Sequence, residues 1–307
     1  MVGTVYAKVS GMQQTSAMSS RVLVIGRVGQ VAHDLARAAW PAGLAAVFVA
    51  RDELDLALAD DVRRVVTALR PRIVINAAAF TAVDAAESQR EAAFAVNRDG
   101  PAALADACRE IGAALIHFST DYVFDGELGR PYKETDATHP LGAYAVSKLA
   151  GELYAQAYLA SPTIIRTSGV FGPGGLRTAR GNFPELMLRL AREGKPLRIV
   201  SDHVASPTYS PALASRSVDV FEKNLDGVFH IGGGQPISWF DYARLIFEKA
   251  GVTADLTPTD EREYRTAARR PRYSALDNAR LRECGIEPMP PLAQAVEEYL
   301  IARKRFF

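Results

Sequence analysis

Five short apolar runs alternate with stretches of helical spacing through the first half of this chain, and that alternation constrains the fold more than any other feature. Arg21-Val22-Leu23-Val24-Ile25 stops at Gly26, and Val28 to Ala39 follows with helical spacing. Val47-Phe48-Val49 is a second run, Asp60 to Leu69 a helical stretch ended by Pro71, and Ile73-Val74-Ile75 a third run. Glu87 to Ile111 reads as one or two helices interrupted near Gly100-Pro101. Ala114-Leu115-Ile116-His117-Phe118, a helix from Tyr144 to Tyr158, and Thr163-Ile164-Ile165-Arg166 complete the series. Continuous apolar runs separated by helices are buried on both faces and need helical crossovers. The pattern predicts an α/β fold, a Rossmann-type doubly wound parallel sheet with helices on both faces.

After Arg166 the rhythm changes. Gly172-Pro173-Gly174-Gly175 opens a loop, expected to be mobile, that runs to Gly181. A helix follows from Phe183 to Glu193, a strand from Leu197 to Val200, a helix from Trp239 to Ala250 and a last amphipathic helix from Leu292 to Arg303. This half lacks a second nucleotide-binding turn, so it is the expected place for substrate recognition. The expected organisation is a disordered leader over 1–20, an NAD(P)-binding domain over 21–168 and a smaller α/β substrate region over 169–307, some segments of which return to the first domain.

Composition excludes several classes. The net charge is +1 in 307 residues, which offers no electrostatic footprint for nucleic acid or an anionic membrane. No segment approaches the roughly 18 apolar residues of a membrane span, and the first twenty residues do not read as a signal peptide. Cys108 and Cys284 lie far apart without metal-ligand spacing, as expected of a chain in a reducing cytoplasm. His33, His117 and His139 have no zinc spacing and read as structural, so no metal site is expected from the sequence.

The first strand-to-helix turn is Gly26-Arg27-Val28-Gly29-Gln30-Val31-Ala32. Gly26 permits the tight turn, Gly29 lets backbone approach a pyrophosphate, and Ala32 takes the small packing position. A short glycine pattern alone is a weak signal; its place after the first strand of a βα series is what gives it weight. Past strand two, Arg51 would meet a 2′-phosphate and favour NADPH, whereas Asp52 would serve NAD, and an ordinary solvated loop explains both equally well. NADPH is the preferred expectation, with NADH left open.

Tyr144 and Lys148 are four residues apart and share one helix face. A nearby ammonium lowers the pKa of a phenol from about 10 and readies it for proton transfer near neutral pH. The same lysine can bond the nicotinamide ribose, so Tyr144 and Lys148 are expected at the cofactor as well. Thr120, just past strand four, is placed to hydrogen-bond a substrate oxygen, since ligands bind at strand C-terminal ends in open parallel sheets. A Tyr-x-x-x-Lys match also occurs as a surface pair on an amphipathic helix; Ser119-Thr120 upstream and Gly151 downstream argue against that here.

Asn76 to Asp84, Ser119-Thr120-Asp121-Tyr122-Val123-Phe124-Asp125-Gly126, Tyr144 to Glu152 and Asp202 to Tyr209 resemble the extended short-chain dehydrogenases/reductases, and among them the dTDP-4-dehydrorhamnose reductase family. The likeness runs from about Arg21 to the C-terminus. It implies reduction of a nucleotide-linked 4-keto-6-deoxysugar at C4, in deoxysugar or surface-polysaccharide biosynthesis, by a cytoplasmic enzyme. It also implies Gly29, Gln30 and Val31 at the cofactor pyrophosphate, Asp55 and Leu56 near the adenine, and Ala79, Phe80 and Thr81 along the cofactor. Thr120 and Asp121 are implied at the sugar. Asn182 and Gly169 join the expected substrate residues, and so does Arg270 beside Pro271, where a guanidinium fork suits a pyrophosphate. Arg177 and Arg180 are weaker candidates for that role. Where the family carries Trp, this chain has Gly169, so an aromatic wall on the sugar is expected to be lost; His203 replaces the family's Gln. The family can dimerise through magnesium, but no local motif here supports that site, and a homodimer is left open.

Three rivals remain to be weighed. Dehydratases of the superfamily carry Glu after Thr-Asp, whereas this chain has Tyr122, which cannot readily act as that acid. Epimerisation would leave the cofactor unconsumed. A non-catalytic binding subunit, similar to the regulatory subunit of methionine adenosyltransferase, would keep the nucleotide site without turnover.

Overall fold

The computed structural model describes residues 20–179 and 181–305; the expected leader therefore lies, but for residue 20, outside the described residues. The strands are β1 (Arg21–Ile25), β2 (Ala45–Val49), β3 (Ile73–Asn76), β4 (Ala114–Thr120), β5 (Thr163–Thr167), β6 (Leu197–Val200), β7 (Val204–Ala205), β8 (Gly227–His230), β9 (Ile237–Ser238) and β10 (Leu256–Thr259). Six of them form a parallel sheet in the order β2-β1-β3-β4-β5-β8. Strand order reverses at β1, which has β2 on one side and β3 on the other, and such a switch point opens a crevice at the strand C-termini.

The period of two along each strand decides which helix layer each residue meets. Val22, Val24, Ile73, Ile75, Ile116, Phe118 and Ile165 pack with Leu35 and with Leu213, Ala214 and Val218. Their neighbours Leu23, Ile25, Val74, Leu115 and Ile164 pack on the other face with Val62, Val65, Val66, Leu104, Ala105 and Cys108. The second half of the chain therefore contributes to the main sheet, through β8 and the Ser210–Glu222 helix. A separate core of Phe171, Met187, Leu188, Tyr242, Ile246, Phe247, Val296 and Tyr299 supports the small β6–β10 and β7–β9 pairs.

Three local readings need correction. The first helix spans only Gln30–Leu35, because the chain turns after Ala36 toward Pro41 instead of continuing to Ala39. Gly100-Pro101 does not interrupt a helix: it starts Gly100–Ile111, with Pro101 in its first turn. The irregularity lies earlier, in a π-helical turn over Ala95–Asp99 that buries Asn97. The glycine-rich segment after Phe171 is packed. It forms a 3-10 turn over Pro173–Arg177, and a Cβ on Gly174 would lie 2.8 Å from Gln30 Cα and 2.8 Å from His33 Cβ.

Candidate active site

The first turn suits a dinucleotide phosphate. Gly26 has φ +106°, and a Cβ there would lie 3.0 Å from the Ala78 nitrogen, so only glycine lets β1 turn beside the end of β3. Gly29 N-caps the Gln30–Leu35 helix without a side-chain hydrogen bond, which leaves the first-turn amides without a capping side chain. The predicted Gln30 and Asn182 meet: Asn182 Nδ2 lies 3.3 Å from Gln30 Oε1, and Gln30 Nε2 lies 3.4 Å from the Val170 carbonyl. Asn182 also caps the Phe183–Arg192 helix and bonds the Gly172 carbonyl, so much of its polar capacity goes to joining the two halves. Val31 is half-buried on that first helix.

At the β2 end, Arg51 Nε pairs with Asp55 at 3.1 Å and Arg27 pairs with Glu53 at 2.8 Å, with the two arginine side chains 79% and 47% exposed. Arg27, inside the glycine turn itself, was not singled out from sequence, since only proximity to β2 makes it a phosphate candidate. Leu56 is buried against Gly100, where a Cβ would lie 2.9 Å from the Leu56 carbonyl oxygen. Asn97 holds the expected cofactor-lining segment: it accepts from Phe80 N at 2.8 Å and donates to Phe80 O at 3.0 Å and to Ser147 at 3.0 Å. Ala79 and Phe80 are half-buried beside this clasp, and Thr81 is exposed.

The Ala143–Tyr158 helix brings Tyr144 and Lys148 to the C-terminal end of β4. Its N-terminus is capped from outside by Glu87, whose Oε1 accepts the Ala143 amide at 2.8 Å, a favourable place for a carboxylate. Gly151 lets the helix press against the π turn, since a Cβ there would lie 2.2 Å from the Asn97 oxygen. Tyr144 is half-buried with its ring edge-on to Tyr122, centroids 6.1 Å apart at 82°. Lys148 is buried and donates to the Phe118 carbonyl at 2.7 Å, which places its ammonium two residues from Thr120. Burial lowers its pKa to about 8, with Glu152 acting in the opposite direction.

His117 lies behind Lys148, with Nε2 3.5 Å from Nζ. Asn76 Oδ1 accepts the Ala78 amide at 3.2 Å, so its amide nitrogen faces His117 Nδ1, 3.1 Å away. That assignment puts the ring proton on Nε2 and leaves Lys148 to donate to Phe118. Burial, reinforced by the Lys148 charge, holds His117 well below the usual histidine range, so it stays neutral. Spacing in sequence gave no hint of this contact, which depends on β4 facing the helix.

Thr120 donates to Asp121 at 3.1 Å and accepts the Tyr122 amide at 3.2 Å. Asp121 is buried, and its other oxygen accepts from Ser168 at 2.7 Å and Ser274 at 2.6 Å. This carboxylate ties together β4, the end of β5 and the C-terminal region. Desolvation raises its pKa to about 6 against the lowering effect of the Ser274, Ser168 and Thr120 hydrogen bonds. Burial and the Asp121 charge raise the Tyr122 pKa, with Arg270 opposing. Arg270 makes a two-pronged pair with Asp84, 3.1 and 2.7 Å, so the guanidinium expected at a pyrophosphate is here directed to a carboxylate. Arg177 sits in the 3-10 turn, and Arg180 lies outside the described residues.

Asp202, His203 and Glu261 bring potential metal-ligand atoms within 4.8 Å of one another. Arg272 Nε already donates to Glu261 at 2.6 Å, so this group holds a cation of its own. No helix among the described residues is long and apolar enough to cross a membrane.

A sequence model of the RmlD substrate binding domain matches residues 20–304. The chain belongs to the dTDP-4-dehydrorhamnose reductase family. It is 39% identical over 278 residues to dTDP-4-dehydrorhamnose reductase of Escherichia coli, covering 85% of this chain and 91% of that protein. It is 38% identical over 285 residues to the Bacillus subtilis spore coat polysaccharide biosynthesis protein SpsK, covering 92% and 98%. Among solved structures, the Bacillus anthracis dTDP-4-dehydrorhamnose reductase in complex with NADP superposes with TM-score 0.87 at 32% identity, over 92% of this chain and 99% of that one. Thermus thermophilus UDP-glucose 4-epimerase, at 22% identity and TM-score 0.78, shares the fold. As a member of the dTDP-4-dehydrorhamnose reductase family the chain is an oxidoreductase.

Proposed function

We propose that the chain reduces the C4 ketone of a nucleotide-linked 4-keto-6-deoxysugar of the dTDP-4-dehydrorhamnose type, with NADPH, in the cytoplasm. The observation that carries the reading is Lys148 held 2.7 Å from the Phe118 carbonyl, which sets the Tyr144 helix against Thr120 at the end of β4. A nicotinamide cofactor, when bound, supplies the hydride. The Thr120 hydroxyl, which donates to Asp121 at 3.1 Å in the structure, turns its proton to the ketone oxygen to orient it, and Tyr144 gives its phenolic proton to that oxygen as it gains negative charge. The Lys148 ammonium then lies near the phenolate left behind and favours it. Arg27 and Arg51 support NADPH, because two guanidiniums at the ends of β1 and β2 match a 2′-phosphate, and the Bacillus anthracis relative was solved with NADP. The segments after 168, apart from β8 and the Ser210–Glu222 helix, are proposed to receive the sugar nucleotide.

The test is absorbance at the nicotinamide band with NADPH or NADH and a panel of dTDP-, UDP- and GDP-linked 4-keto-6-deoxysugars. Stoichiometric NADPH oxidation with the dTDP-linked substrate is expected. Isomerised sugar with no net cofactor consumption would instead establish an epimerase.

Lys148 sets a pH limit. Its ammonium is needed beside Tyr144, so kcat is expected to fall as pH rises through about 8, where the buried group loses its proton. The depressed pKa has the opposite effect on stability: between about 8 and 10.5 the unfolded chain binds more protons than the folded one, so this group's contribution to stability rises with pH. Alkaline loss of activity should therefore precede any unfolding from this source. A kcat that stays level to pH 10, with circular dichroism unchanged, would rule out a role for the charge.

A further inference from the structure

We propose that Trp239 forms an aromatic wall of the sugar pocket and governs substrate affinity there, an inference that rests on the sugar-nucleotide reading above. Gly169 directly follows Ser168, whose hydroxyl holds Asp121 beside Thr120 at 2.7 Å. It has φ +50°, and a Cβ built on it would lie 3.3 Å from Trp239 Cη2 and 3.5 Å from Pro207 Cα. The direction in which a side chain at 169 would grow is already occupied by the indole tip. The glycine therefore leaves no gap at the end of β5; an aromatic surface from another helix fills it.

The indole is held in place. Its ring meets Phe183 at 4.7 Å and 61°, and Phe183 in turn stacks on Tyr242 at 5.3 Å and 18°. The Trp239 amide donates to the His203 carbonyl at 3.1 Å, and Ser238 caps the Trp239–Ala250 helix by accepting the Asp241 amide at 3.0 Å. Backbone position and ring stacking both restrict where the tip points.

The side chain also retains binding capacity. Trp239 is half-buried, and among the described residues no protein acceptor meets its Nε1, whereas Trp40 Nε1 donates to the Leu35 carbonyl at 2.9 Å. A fixed indole with an apolar face and an unspent N–H suits a pyranose, whose C–H face is apolar and whose oxygens accept hydrogen bonds.

Trp40 and Trp239 are the two tryptophans of the chain, so Trp40→Phe makes Trp239 the sole indole reporter. The expected result is a saturable change in its emission on titration with the dTDP-linked 4-keto-6-deoxysugar in the presence of NADP+. Trp239→Ala should raise KM for that substrate about tenfold while leaving KM for NADPH unchanged, and Trp239→Phe should recover most of the loss. Should Trp239→Ala fail to fold, the Trp40→Phe titration still decides the matter. Silent emission at saturating substrate, or an unaltered sugar KM in Trp239→Ala, with wild-type turnover intact, would overturn the role of Trp239 alone. Absence of wild-type turnover across the sugar panel would overturn the functional reading and this inference with it.

Discussion

Replacing Tyr144 by Phe should lower kcat by about 10²–10⁴-fold, the usual contribution of a positioned general acid, while cofactor affinity changes little. The substitution removes one oxygen from a half-buried ring that lies edge-on to Tyr122. The ring contact survives, and so does the Ser147 hydroxyl bond to the Tyr144 carbonyl at 2.7 Å, so helix and packing are retained. What is lost is the proton for the developing alkoxide. Single-turnover NADPH oxidation measures the rate, and calorimetric titration with NADP+ measures cofactor binding. A variant that reduces the ketone at the wild-type rate would remove Tyr144 from the mechanism. A variant that no longer binds NADP+ would show that the phenol is a cofactor anchor.

The largest effect on stability is expected at Glu152. It is buried on the Ala143–Tyr158 helix and accepts from Arg166 Nη2 at 2.7 Å, from Arg166 Nε at 3.1 Å and from the Ser119 hydroxyl. These contacts join the helix to the ends of β4 and β5. Arg166 is buried as well, its guanidinium 5.3 Å from the Phe124 ring centre, and its Nη1 has no hydrogen-bond partner among the described residues. Glu152→Ala would strand that charge in an apolar site, at a cost of about 3–5 kcal/mol. Urea unfolding reads the loss as a lower midpoint at constant slope. Pairing Glu152→Leu with Arg166→Met should return most of it, since the penalty is an uncompensated charge more than a missing attraction. A Glu152→Ala midpoint within experimental scatter of wild type would mean that the guanidinium finds water.

The strands of the first half were legible because each is built around a short apolar run, and burial on both faces of a parallel sheet leaves little choice of residue. The Gly26 turn and the Tyr144–Lys148 spacing were legible for a similar reason: both depend on neighbours within one turn of backbone. The break in the helical stretch before Ile111 was misplaced at Gly100-Pro101. Its true position, the π turn at Ala95–Asp99, is set by Asn97 reaching Phe80 and Ser147, partners seventeen and fifty residues away. The glycines at 174 and 175 suggested mobility, but they are small because the Gln30 helix and Asn182 press against them.

Local spacing alone thus determined a doubly wound sheet, a tight glycine turn after the first strand and a phenol–ammonium pair on one helix face. Only the folded chain decided that β8 closes the sheet, that Arg270 is paired with Asp84, that Lys148 lies between His117 and the Phe118 carbonyl, and that Trp239 fills the space beside Gly169. The reason is range. A strand or a turn is selected by sterics and burial acting over a few residues, whereas a charge partner or a pocket wall is supplied by whichever distant segment packing brings within a few ångströms.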